Sequence, residues 1–182
     1  MGLRKLRRKL RARRTSAIPR FMRHKRQNLL AVPGAYEYVI VLDHLKPEYN
    51  IGKIFRSADA FGAHEVHLIG IDFFDPAPAK GSFKWVPAKF HEDFGSCYAE
   101  LKERNYSIYM MDAASGRMLS TITLPERSAF VFGHEEFGFS FHKEEFSALT
   151  GVKIPQLGKV QSLNVSIAAS IVMYEYVRQH DE

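Results

Sequence analysis

Short, solidly apolar runs alternate along the chain with segments whose apolar residues return every three or four positions. "YVIVL", "EVHLIGI", "YSIYMMD", "SAFVFG" and "GVKIP" are runs of the first kind. They predict strands, the first over about 36–42, and such unbroken apolarity suits strands covered on both faces. "FKWVPAKF" predicts a further short strand, with Pro87 placing it at an edge or a break. "NIGKIFRSADAFG" predicts a helix over about 51–61, closed by Gly62. "FGSCYAELKERN" predicts another, and "FHKEEFSAL" a short one. "DFFDPAPAKGS" and "AASGRMLSTITLPER" predict loops. In the last segment Val165, Ala168, Ala169, Val172 and Tyr176 share one face, and Ile167, Ile171 and Tyr174 form a second apolar strip. A helix over about 162–178 is expected, with Ser162 as its N-cap. Two apolar strips imply that it is sandwiched between layers or subunits.

Strands alternating with helices predict an α/β fold with a mainly parallel sheet and helices on both faces. Ligands of such sheets bind beyond the carboxyl ends of the strands. That directs attention to the loops 43–50, 133–140 and 155–162, and to the loop after Met111. Their neighbourhood holds Asn50, Arg56, Glu135, Ser162 and Asn164. Singly, each has an ordinary reading: a cap for Asn50, Ser162 and Asn164, a solvated face for Arg56, a loop acid for Glu135.

Composition allows one domain with a real core, at 182 residues, 46% hydrophobic and 13% aromatic. Its apolar runs are too short to span a bilayer. Charge changes the picture more. Residues 1–30 hold twelve of the 26 Lys and Arg and none of the 20 Asp and Glu, so the remainder is net acidic. Within that head Leu3, Leu6 and Leu10 recur at helical spacing. Two parts are therefore expected, a basic N-terminal arm over 1–30 and a body over 31–182. A polycationic arm is a handle for a polyanion, nucleic acid first, with a membrane surface, a transit peptide or a solubilising tail as alternatives. A lone Cys97 forms no internal disulfide and no zinc site built on several cysteines. With no apolar leader stretch after the basic residues, a cytoplasmic location is expected, and "NVS" at Asn164 is read as chance.

Several familiar chemistries find no motif. There is no GxxxxGK[ST], no GxGxxG after the first strand and no GxSxG. "HEEFG" starts like a zinc-protease helix, but Gly138 stands where its second histidine belongs. The eight histidines show no ligand spacing, and no metal is expected.

Taken together, "NIGKIFRSADAFG", "FVFGHEEFG" and "IPQLGKVQSLNVSIAASI" resemble the three ordered motifs of the SpoU/TrmH family of RNA ribose methyltransferases, in the SPOUT superfamily. "KGSFKWV" is similar to a TrmH-type segment and inclines the substrate towards transfer RNA over ribosomal RNA. The resemblance covers about 39–176. It departs in the second motif, where His134 and Glu136 replace the usual Asn and Gly. It implies the SPOUT fold with a C-terminal deep trefoil knot, a homodimer, S-adenosylmethionine as cofactor and methyl transfer to a ribose 2′-hydroxyl. It also implies roles for residues. Gly133, Ile154, Leu163 and Ser162 would bind the cofactor, and Arg56, Asn50, Glu135, Ser162 and Asn164 would make up the catalytic set. A non-catalytic RNA-binding protein of the same fold is the alternative.

Overall fold

The computed structural model describes residues 3–181, with side chains from residue 16 onward. Ten regular elements follow in the order α1 (Leu3–Asn28), β1 (Val39–Asp43), α2 (Tyr49–Ala60), β2 (Glu65–Ile69), β3 (Ala88–His91), α3 (Phe94–Glu103), β4 (Ser107–Met111), β5 (Ser128–Phe132), β6 (Leu149–Val152) and α4 (Val165–His180). The strands form one six-stranded sheet in the order β3-β2-β1-β5-β4-β6, and every pairing is parallel. The α/β class with a mainly parallel sheet is what the patterning called for.

The three central strands β1, β2 and β5 are buried along their whole length, which explains the apolar runs of β1 and β5, while β2 also buries Glu65 and His67. Alternation still sorts their side chains. Tyr38, Ile40, Leu42, Val66, Leu68, Phe130 and Phe132 pack on one face with residues of α1, α2 and α4. Val39, Val41, Ile69, Ile108, Ala129 and Val131 pack on the other with Phe94, Cys97 and Leu101 of α3. The pleat makes these two cores inevitable.

Element boundaries differ from expectation in four places, each for a local reason. The first strand begins at Val39 rather than 36, because Gly34 and Tyr36 donate their backbone N–H groups to the carbonyls of Ala63 and Gly62. "FHKEEFSAL" yields only a 3₁₀ turn at Lys143–Glu145. "FKWVPAKF" divides into a 3₁₀ turn at Ser82–Lys84 and β3, with Pro87 between them as the missing donor requires. The N-cap of α4 is Asn164 and not Ser162: its Oδ1 accepts from the Ser166 N–H at 3.0 Å and from the Ser166 hydroxyl at 2.6 Å.

The basic head is helical, and its second half belongs to the body. Ala17, Phe21, His24 and Asn28 recur at helical spacing and are all buried. Phe21 sits among Phe73, Phe74, Phe83 and Phe90. Asn28 donates to the Phe83 and Val86 carbonyls at 2.7 Å and accepts from the Ala88 N–H at 3.0 Å. Leu3, Leu6 and Leu10 lie outside the residues whose side chains are described.

Candidate functional site at the carboxyl ends of the strands

A cavity of about 320 Å³ opens beyond the carboxyl ends of β4, β5 and β6. Its walls are Met111, Asp112 and Ala113 after β4, Phe132 to Glu135 after β5, Val152 to Ile154 with Gln156 after β6, and Ser162 to Val165 leading into α4. Six of the residues singled out from the sequence line it: Gly133, Glu135, Ile154, Ser162, Leu163 and Asn164. Asn50 and Arg56 do not; both lie on α2 beside it.

Asn50 nevertheless joins the site. It lies inside the first turn of α2, whose N-cap is Glu48, so it does not cap the helix. Its Nδ2 donates to Glu135 Oε1 at 2.8 Å, and its Oδ1 accepts from Asn164 Nδ2 at 3.2 Å. Glu135 Oε2 accepts from the Lys46 backbone N–H at 3.2 Å. One hydrogen-bonded chain thus ties the three sequence motifs, from the foot of α4 through α2 to the turn after β5. Each amide group is oriented by the next, so the chain fixes rotamers that exposed side chains would otherwise sample. Arg56 is exposed and has no hydrogen bond or ion pair among the described residues.

The turn after β5 is built tightly. His134 and Gly138 exchange backbone hydrogen bonds at 2.7 and 3.0 Å. Gly138 takes a φ of +73°, a conformation costly for other residues. A Cβ on Gly133 would lie 2.7 Å from the Gly138 carbonyl, so glycine is required there too. His134 caps its own turn, its Nδ1 accepting from the N–H groups of Glu136 and Phe137. Glu136 pairs with Lys46, whose ammonium holds its carboxyl below the usual range. The departures His134 and Glu136 thus make local contacts of their own. Behind the turn, the buried Asp43 accepts from the Ser140 N–H at 2.7 Å and its hydroxyl at 2.8 Å, pinning the loop to β1.

The cavity suits a purine nucleoside carrying a cation. Its lining mixes apolar residues such as Met111, Phe132, Val152 and Leu163 with polar ones, and the negative charge of Asp112 and Glu135 outnumbers the single Lys153 ammonium. Gln156 Oε1 is buried without a partner, an acceptor waiting for a donor such as an exocyclic amine.

The profile of the SpoU rRNA Methylase family matches residues 37–174, most of the chain and every element from β1 into α4. The chain belongs to this SpoU family. Among its relatives, the tRNA (guanosine(18)-2′-O)-methyltransferase of Thermus thermophilus is 34% identical over 150 residues, 79% of this chain and 75% of that one. The 23S rRNA (guanosine-2′-O-)-methyltransferase RlmB of Nitrosomonas europaea is 34% identical over 149 residues, 79% of this chain and 57% of that one. In three dimensions, the SpoU methyltransferase AviRb from Streptomyces viridochromogenes, solved with AdoMet, superposes with a TM-score of 0.71 at 27% identity, covering 83% of this chain and 60% of AviRb. The TrmH/SpoU tRNA modifying enzyme of A. aeolicus gives 0.73 at 27% identity, covering 88% of this chain and 83% of that one.

Sequence reading of this SpoU chain reached the loop after Met111 as a strand end but named no residue in it; Asp112 and Ala113 carry no motif, and β4 lying between β5 and β6 brings them to the cavity. Gln156 sits within the quoted third motif, but its orphaned acceptor is visible only once the loop is folded.

Proposed function

We propose that the chain transfers a methyl group from S-adenosylmethionine to a ribose 2′-hydroxyl of transfer or ribosomal RNA. The observation that carries this reading is the Asn164–Asn50–Glu135 chain closing one edge of the cavity at the ends of β4, β5 and β6. Relatives named as tRNA and 23S rRNA 2′-O-methyltransferases support it.

When bound, the cofactor supplies a methyl already made electrophilic by its sulfonium, so the protein needs mainly to align and to exclude water. Gly133, Ile154 and Leu163 would hold its adenosine part through main-chain contacts, with Ser162 beside them. Glu135 and Asn50 orient the ribose edge, and Asn164 fixes the approach of α4. Alignment of this kind is worth ~7–11 kcal/mol in favourable systems. A guanidinium such as that of Arg56 is a poor base. Arg56 lies free of partners among the described residues, fit to stabilise developing charge on the attacking oxygen and to hold a phosphate.

We also place the deep trefoil knot here. In support, the Lys153 N–H donates to the Arg117 carbonyl and its own carbonyl accepts from the Leu119 N–H, both at 2.8 Å, before the chain returns to pack α4 on α2. The homodimer would use α4, where Ile167 is 53% and Tyr174 58% exposed. RNA would meet the basic head, together with the exposed Trp85 beneath the Lys84 ammonium, and the protein would work in the cytoplasm.

The test is labelled cofactor with undermodified tRNA and rRNA. Ribose-methylated nucleotides are expected. A protein that binds the cofactor yet labels neither pool would overturn the reading and leave an RNA-binding role.

A further inference from the structure

Far from the cavity, the opposite wing of the sheet buries a second polar cluster under α3. The pleat places Glu65 and His67 of β2 on one face, and Lys89 and His91 of β3 on the same face. Cys97, Glu100 and Arg104 are one helical turn apart along α3 and its C-cap. Six of these seven side chains are polar or charged in ways that burial penalises, and His67 and Cys97 are completely buried.

Three of them converge. His67 Nδ1 lies 3.3 Å from Cys97 Sγ and 3.1 Å from His91 Nε2. The three ligand atoms all lie within 4.8 Å of one another. His67 Nε2 lies 3.0 Å from Glu65 Oε1, although off the line of a straight hydrogen bond. A carboxylate can only accept, so in the neutral ring Nε2 carries the proton and Nδ1 presents a lone pair. That lone pair faces both a thiol and the His91 nitrogen, and it can accept from only one of them. With the ring neutral, hydrogen bonding leaves this buried junction one bond short.

A cation at the junction removes the deficit. Zinc ligated by nitrogen at ~2.0–2.1 Å and sulfur at ~2.3 Å sets its ligand atoms about 3.3–3.6 Å apart in a tetrahedron, close to the 3.3 and 3.1 Å that separate His67 Nδ1 from Cys97 and His91. The outer contacts fit as well. A ligating histidine commonly gives its other nitrogen to a carboxylate, and His67 Nε2 lies 3.0 Å from Glu65, which Arg104 and Lys89 hold in turn. Glu100 spends Oε1 on Lys89 and Arg104, while its Oε2 lies 4.0 Å from His91 Nε2.

We propose that His67, His91 and Cys97, with water as the fourth ligand, form a binding site for a divalent cation of the zinc class that ties β2 and β3 to α3. Binding converts the Cys97 thiol to a thiolate, its proton passing to solvent. The site is distinct from the cavity and asks nothing of methyl transfer.

The experiment uses the full chain, stripped with a chelator and titrated with Co²⁺. One equivalent should produce a tetrahedral visible spectrum with a thiolate-to-metal charge-transfer band, bleached by Zn²⁺. Cys97→Ser should lose the charge-transfer band. His91→Gln, at a partly exposed edge position, should weaken binding at least about tenfold, and Glu65→Gln should weaken it by about 10–100-fold with the band retained. Absence of a thiolate band in the folded wild type overturns the proposal. So does cobalt binding of equal strength in wild type and His91→Gln, whether or not Cys97→Ser folds.

Discussion

Two polar clusters sit at opposite wings of one sheet, and they manage their polarity in opposite ways. The Asn164–Asn50–Glu135 chain is open to solvent, made mostly of neutral amides, and stands beside an arginine with no partner among the described residues. The cluster under α3 is charged and buried at Glu65, His67 and Cys97, with each glutamate held by two cations. Burial alone would push the Glu65 carboxyl up, but His67, Arg104 and Lys89 outweigh it and hold the group far below the usual carboxylate range. The first cluster keeps hydrogen-bonding capacity for something outside the protein. The second spends its capacity inward, on holding a sheet edge to a helix.

The two should therefore respond differently to mutation. The largest effect is expected at the open wing. Arg56→Ala should lower methyl transfer by about 10²–10³-fold, with thermal stability and cofactor affinity unchanged; rates with saturating RNA, calorimetry and a melting curve check this together. A lost fold in that variant would erase the contrast. Next comes the buried wing. Arg104→Ala leaves Glu65 with His67 and Lys89 only, and should cost about 2–3 kcal/mol in urea denaturation, somewhat less than the ~3–5 kcal/mol of a buried charge stripped of its only partner. Transfer per folded molecule should be unaffected.

A third change tests whether the basic head counts as fold or tail. Asn28→Ala deletes the acceptor of the Ala88 N–H and the donor to two carbonyls, so about 1–3 kcal/mol should be lost. No loss would mean that α1 only leans on the body. The smallest effect is in pH. Because the Glu65 carboxyl titrates lower folded than unfolded, its stabilisation is present above about 4.5 and declines as pH falls below it. Glu65→Gln should flatten that acid limb of the unfolding curve relative to wild type, whereas Glu136→Gln, at an exposed pair, should leave it unchanged.

The same contrast explains what the sequence disclosed. Strands β1 and β5 were legible because burial on both faces demands unbroken apolar runs, and the third motif announced α4 because its apolar residues keep helical register. Ser162 misled as a cap because Ser and Asn are near-equal N-cap residues and only the backbone of Asn164 turns into the helix. Asn50 and Glu135 stood out by motif, yet their mutual bond spans 85 positions and has no sequence signature. The group around His67 was hidden altogether. Its members are spread over two strands and a helix, so the spacing rules that reveal local ligand pairs had nothing to find. Phe21 and Asn28 were masked by the arginines around them, whose charge drew attention from the buried stripe.

The helix α1 is 26 residues long, about 39 Å at the usual rise. Its last turns are clamped by an aromatic nest and by Asn28, which makes it a cantilever rather than a string. Pro19 lies within the helix and lacks an N–H for the ladder, so a bend there would set the angle at which the segment before it leaves the sheet. A nucleic acid gripping it would be gauged like a workpiece against a stop, with reach set by helix length instead of by the statistics of a loose chain.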